Sequence, residues 1–233
     1  MATFTRAELY LLVNLATKPL YLVGVDLSRA DLRDVNLSAA ILSGANLTNT
    51  SLWGADLSNA DLRGADLKGS ILNGANLSGA NLEDADLKGC LMQNVNLSRA
   101  NLKGANLSGA ILNSANLNGA DLPRVNLEGA RMSYTFLQSA NLKGANLRGA
   151  ELIRADLTKT NLSYADLSNA HLGHANLNGA NLTNADLRHA RLRYVDLGEA
   201  NLTEVNVTGA QYTLAAQWPE DFDPLAAGAI LVE

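Results

Sequence analysis

Leucine recurs at every fifth residue along most of this chain. From Leu22 onward the positions whose numbers end in 2 or 7 hold Leu as far as Leu202, broken only by Met92 and Met132, and Val207 and Tyr212 close the series. Of 39 such positions 35 are Leu, with no insertion or deletion between them. Two places before each stands a small residue, mostly Ala as in Ala45, Ala55, Ala60 and Ala65, otherwise Val, Thr, Ser or Cys, with Leu20 at the start. A period of five fits neither the two-residue alternation of a strand nor the 3.6 of a helix, so either element would scatter these leucines over all sides. A coil with one five-residue side per face keeps them together, with Leu and the small residue inward. The other three positions carry Asn, Asp, Ser, Lys, Arg and Gly and face water. Of 19 glycines, 16 stand two places after the central Leu, where a sharp corner benefits from positive φ without a Cβ penalty. Asn, Asp and basic residues take that corner elsewhere, which predicts that not every corner needs positive φ.

The coil length is written in the residue before Leu. That position holds Asn or Asp in 27 of the 39 units, and nine of the twelve exceptions form one series spaced by twenty. They are Ser51, Ile71, Leu91, Ile111, Arg131, Glu151, His171, Arg191 and Gln211; the other three are Tyr21, Ile41 and Phe136. Twenty residues per turn means four sides. The pattern predicts an all-β square solenoid of about ten coils, stacked at strand spacing into a rod roughly 47 Å long.

Units such as Ala45-Asn46-Leu47 and Ala65-Asp66-Leu67 resemble the repeats of the pentapeptide-repeat family, and the resemblance covers residues 20 to 212. It implies the fold of that family, a right-handed quadrilateral β-helix. The segment from Tyr212 to Ala229 is similar to tails on cyanobacterial members. Some of those members regulate cell differentiation by protein contact, and other family members imitate B-DNA and protect DNA gyrase against quinolones. Both roles are functions that the resemblance implies.

An open solenoid exposes its last layer of Leu and its unpaired backbone, so covers are expected at both ends. Residues 1–19 predict an N-terminal capping helix: Thr5 with Glu8 forms a capping box, Leu9, Leu12, Val13 and Ala16 share a face, and Pro19 ends it. The repeats occupy 20–212, and 213–233 form a C-terminal capping tail. There Trp218, Phe222 and Ile230 are expected over the last coil, with Pro219 and Pro224 preventing further ladder pairing. The apolar stretch Leu9–Ala16 is short, contains Asn14 and lacks a basic leader, so neither a signal peptide nor a membrane span is read from it.

Charge and composition narrow the function. With 18 basic against 23 acidic residues the net charge is -5, which offers no excess of positive charge to nucleic acid. A single cysteine, Cys90, permits neither an internal disulfide nor a thiolate metal cage, and suits a cytoplasmic chain. It stands in the small inward position and reads as a buried hydrophobe. A bore packed with Leu and Ala leaves no ligand cavity, and flat outer ladders gather no acid, base or nucleophile. The expectation is therefore a non-enzymatic interaction protein without cofactor or metal, a monomer or weak homodimer that binds another protein. His171 and His174 share a face, but no third ligand accompanies them.

The unlike face supplies the candidates. Trp53, Ile71, Leu91 and Ile111 form an outward apolar set suited to self-association. Farther along come Arg131, Glu151, His171 and Arg191, flanked at the corner by Tyr134, Arg154, His174 and Tyr194, a composition suited to recognising a protein. Phe136, in the irregular unit that follows Arg131, joins that candidate set. DNA mimicry is the alternative, because one face carries Asp26, Asp66, Asp86, Asp166 and Asp186, although Lys68, Lys88, Arg148 and Arg188 stand among them.

Overall fold

Twenty-residue stacking governs the described residues as far as Tyr212. The computed structural model describes residues 19–232, and the N-terminal cap expected over 1–19 lies, Pro19 apart, outside them. From Tyr21 to Arg191 each residue preceding a central Leu bridges in parallel to the residue twenty places on, so that Tyr21, Asp26, Asp31 and Asn36 each start one of four ladders. Between rungs the chain turns. Ala45 donates its N–H to the Leu42 carbonyl at 3.0 Å while Gly44 takes φ 64°, which is the third position of a turn that requires positive φ. Twenty-one corner residues other than glycine also have φ near +60°, Arg29, Asp34 and Asn49 among them, so the expectation that polar corners can do without positive φ fails at these positions. The physical reason is the neighbouring coil. Corner amides donate across the stack, as Asn49 does to the Lys68 carbonyl at 2.9 Å, and that bond fixes the left-handed conformation whatever the side chain.

Leu and Ala fill the interior as the spacing predicts. Leu47, Leu52, Leu57 and their counterparts are wholly buried, and each burial stabilises the coil by roughly 1.5–3 kcal/mol. Where Ala gives way to a polar residue inside, a backbone carbonyl receives it: in the preceding coil for Thr50 Oγ1 to Leu27 at 2.9 Å, Ser70 Oγ to Leu47 at 2.6 Å and Cys90 Sγ to Leu67 at 2.9 Å, and in the same turn for Thr135 Oγ1 to Met132 at 2.7 Å and Thr160 Oγ1 to Leu157 at 2.6 Å. Burial pushes the Cys90 thiol up to about 12, which suppresses the reactive thiolate. A thiol reagent such as Ellman's should therefore leave Cys90 unmodified in the native protein and react stoichiometrically after unfolding in guanidinium. Rapid labelling of the folded chain would contradict this burial.

Outside, Asn earns its frequency through three simultaneous bonds. Asn76 Nδ2 donates to Asp56 Oδ1 at 3.1 Å, while Asn76 Oδ1 accepts from the Ser78 amide at 3.2 Å and from Asn96 Nδ2 at 3.1 Å. One side chain thus holds its own turn and ties its coil to the coils before and after it. Asp can only accept, so two Asp in succession need a cation: Lys68 Nζ lies 2.9 Å from Asp66 and 3.3 Å from Asp86. Arg188 likewise engages Asp186 at 2.6 Å, and its guanidinium holds that carboxyl below the ordinary range.

The C-terminal segment departs from the expected arrangement. Strand β1, Arg191–Leu192, pairs in parallel with β2, Gln211–Tyr212, and β2 pairs with β3, Ile230–Leu231. The ladder therefore continues through the tail rather than stopping, and Ile230, half exposed, forms a rung instead of lying over the last coil. Pro219 and Pro224 do not prevent this, because both fall in the excursion between the rungs at Gln217 and Ile230, where no ladder donor is needed. Trp218 and Phe222 do pack on the core: Trp218 meets the edge of the buried Tyr212 ring at 5.5 Å and stacks on Phe222 at 5.3 Å. No helix among the described residues is long and apolar enough to cross a membrane.

Candidate functional site

From Ser51 onward one face lacks the Asn and Asp rungs. Its ladder runs Asp31, Ser51, Ile71, Leu91, Ile111, Arg131, Glu151, His171, Arg191, and continues through Gln211 to Ile230. Freed from the amide ladder, these positions carry chemistry that the other faces do not. The coils at 51–54, 71–74, 91–94 and 111–114 contain no charged residue on this face, and the next four, at 131–134, 151–154, 171–174 and 191–194, contain four Arg, one Glu and two His. Ser51 to Arg191 spans seven stacking intervals, roughly 34 Å.

In the apolar half, Ile71, Leu91 and Ile111 occupy consecutive rungs, with Ile71 and Leu91 exposed. Trp53 is also exposed but stands across Leu52 from that ladder, beside it rather than in it. Replacing Ile71 and Ile111 together by Asp should leave the melting temperature within a few degrees of native, because both side chains point outward, and should abolish any concentration-dependent mass increase in sedimentation equilibrium. Unfolding of the double variant would contradict the outward placement.

In the polar half four consecutive corners carry large side chains that engage in two pairs. Tyr134, Arg154, His174 and Tyr194 all adopt φ between 57° and 61°. The Arg154 guanidinium lies 5.8 Å from the Tyr134 ring centre, and the His174 and Tyr194 rings are parallel at 4.6 Å. Such contacts contribute on the order of 0.5–1.5 kcal/mol each and rigidify side chains that would otherwise sweep solvent. No other corner ladder places large side chains on successive coils: Arg124, Tyr164 and Glu204 alternate with Gly144 and Asn184, and Arg99 and Lys159 are each followed by glycine.

On the rung ladder, Arg131 Nε lies 3.3 Å from Glu151 Oε2. His171 is held below its ordinary imidazole value, chiefly by burial and then by the positive charge of Arg191, against the opposing pull of Glu151. His171 and His174 do not converge, since His174 is engaged with Tyr194, and among the described residues no three His, Cys, Asp or Glu gather as a metal set. Phe136 is separated from the rest: it is exposed, but on the next face, between Asn116 and Asp156.

Sequence reading passed over three residues that the structure brings into the site. A groove of about 420 Å³ is lined by Ile153, His171, Gly173, Arg191, Arg193 and Gln211. Ile153, Gly173 and Arg193 occupy the position just after Leu on successive coils, and the twenty-residue period that exposed Arg191 applies to them equally.

A stack of five-residue sides with paired inward Leu and small residues defines a quadrilateral repeat solenoid. The chain matches the family described as Pentapeptide repeats in eight copies, over residues 21–49, 40–79, 80–119, 110–149, 137–173 and 180–211, and it belongs to that family, whose members form right-handed quadrilateral β-helices. Among solved structures it is similar to HetL, a pentapeptide-repeat protein involved in heterocyst differentiation regulation in the cyanobacterium Nostoc sp. strain PCC 7120. The two are 32% identical over 92% of this chain and 94% of that one, with a TM-score of 0.79. It is also similar to alr5209, another Nostoc pentapeptide-repeat protein, at 38% identity over 52% of this chain and 84% of that one, with a TM-score of 0.36. QnrB1, a plasmid-mediated fluoroquinolone resistance protein, aligns over 92% of this chain and 90% of its own at 22% identity, with a TM-score of 0.41. No curated protein matches the chain.

Proposed function

We propose that this protein is a non-enzymatic scaffold that binds a protein partner through the polar half of its unlike face. The observation that carries this reading is the run of four consecutive corners, Arg154 over Tyr134 and His174 stacked on Tyr194, beside Arg131, Glu151, His171 and Arg191. Immobilised aromatic and guanidinium groups lose little entropy on binding and are the side chains that dominate protein interfaces. The likeness to HetL supports a regulatory role in cell differentiation. On this reading residues 20–212 are the repeat rod, the tail adds the rung at Ile230 and covers that end with Trp218 and Phe222, the leading segment caps the other end, and the protein works in the cytoplasm as a monomer or weak homodimer, with the apolar half serving any self-contact. A DNA-like surface protecting gyrase would need a sustained acidic field, and Lys68 and Arg188 interrupt it on the face where Asp is most frequent.

The test is an affinity capture from lysate of the source cell, comparing the native chain with a variant carrying Arg131→Ala, Tyr134→Ala, Arg154→Ala and Arg191→Ala. A partner held by the native chain should be lost from the variant, whose melting temperature should remain near native. The same partner recovered equally by both would move function off this face.

A further inference from the structure

Gly173 is out of place among the glycines. Seventeen of the nineteen have positive φ, nearly all at corners where the backbone calls for it. Gly173 does not, and it stands just after Leu172, where the preceding and following coils carry Ile153 and Arg193. Nor does crowding exclude a side chain, because a Cβ built there would meet only the Arg193 carbonyl oxygen, at an ordinary 3.8 Å. What the missing side chain leaves is space: a notch in the ladder, floored by backbone, with Ile153 on one side, Arg193 on the other, and His171 and Arg191 along the neighbouring rungs.

The charges around that notch are unbalanced. Arg131 and Glu151 engage each other one coil away, and among the described residues neither Arg191 nor Arg193 has an ion-pair partner. No carboxylate lines the groove. A second groove, of about 290 Å³, gathers Arg148 and Arg188, but Asp166 lines it too and Arg188 is committed to Asp186 at 2.6 Å. Two guanidinium groups one residue apart across Leu192, in a chain whose net charge is -5, present forked donors with nothing of their own to accept them.

We propose that the notch over Gly173 takes a carboxylate side chain from an acidic segment of the partner protein, bound between Arg191 and Arg193, with an apolar residue of that segment against Ile153. This deepens the reading of the unlike face as the partner-binding face and rests on it. The uncharged apolar rungs at Ile71 to Ile111 lie up the same ladder, so an extended segment along the face meets the arginines at one end and aliphatic surface at the other.

The probe is a fluorescein-labelled octapeptide alternating Glu and Leu, compared by fluorescence anisotropy with the same peptide carrying Gln for Glu. The Glu peptide should bind the native protein roughly tenfold or more tightly than the Gln peptide. Gly173→Leu, which fills the notch without straining the backbone, and the double variant Arg191→Ala with Arg193→Ala should each weaken it by roughly tenfold or more, while Arg148→Ala in the other groove should not. Equal binding of the two peptides, or undiminished binding by a folded Gly173→Leu variant, overturns the proposal. Lysate capture separates this failure from failure of the broader reading. A partner lost from the fourfold alanine variant but retained by Gly173→Leu would leave the face as the binding site and remove the notch, whereas a partner kept by both would remove the face itself.

Discussion

Replacing Leu107 by Asp should abolish the cooperative thermal transition and drive the chain into aggregates. Leu107 has no exposed surface, and its amide already donates to the Asn126 carbonyl at 2.7 Å in the stack. A carboxylate there has no cation and no free donor within the bore. Isolated burial of that charge costs far more than the roughly 5–15 kcal/mol by which a domain is stable, so the chain must take up a proton or open the coil. Ser108, one residue away, is only partly buried, and Ser108→Asp should change stability by no more than about 0.5 kcal/mol. Circular dichroism melts of the two variants side by side check this. A native melting temperature for Leu107→Asp would refute the inward assignment of the whole Leu series.

Replacing Trp218 by Ala should open the C-terminal end without unfolding the centre. Trp218 meets Tyr212 edge to face and stacks on Phe222, so truncation removes the ring that joins the other two. Loss of a packed Trp side chain costs about 3–5 kcal/mol. In a solenoid each coil contacts only its neighbours, and the loss is therefore felt locally. Hydrogen exchange is the appropriate measurement. The Leu197 amide, which donates to the Gln217 carbonyl at 2.8 Å, and the Ile230 amide, which donates to Ala210 at 2.7 Å, should lose protection, while Leu107 keeps its own. Trp218→Phe should retain most of the protection, because the indole Nε1 has no hydrogen-bond partner to lose. Uniform loss along the rod would show that the coils unfold as one unit.

Much of this architecture was legible in the residues because one spacing decides two things at once. Leu and Ala at five-residue intervals fix which side is inward, and the single twenty-residue series of non-amide residues fixes which positions stack. Arg154 over Tyr134 and His174 over Tyr194 follow from that period. The tail was not legible, since its rungs step by twenty-one from Asp196 to Gln217 and by nineteen from Gln211 to Ile230, and a strict period misses both. Its prolines read as barriers only while the excursion between rungs was unseen. Phe136 looked like part of the polar cluster because it is near Tyr134 in sequence, yet the corner turns it onto the next face. Gly173 and Arg193 were not legible for another reason: the twenty-residue signal lies in the residue before Leu, whereas half of the groove is lined by the residue after it.

The claim that one face of four carries the function is tested most directly by isothermal titration of the captured partner against two matched variants. One carries the alanines at Arg131, Tyr134, Arg154 and Arg191; the other carries alanines at Lys68, Lys88, Arg148 and Arg188 on the Asp-bearing face. The expected result is loss of binding in the first variant and unchanged affinity in the second, with both folded. Equal weakening by the two would contradict a dedicated face and leave the rod binding through diffuse charge alone.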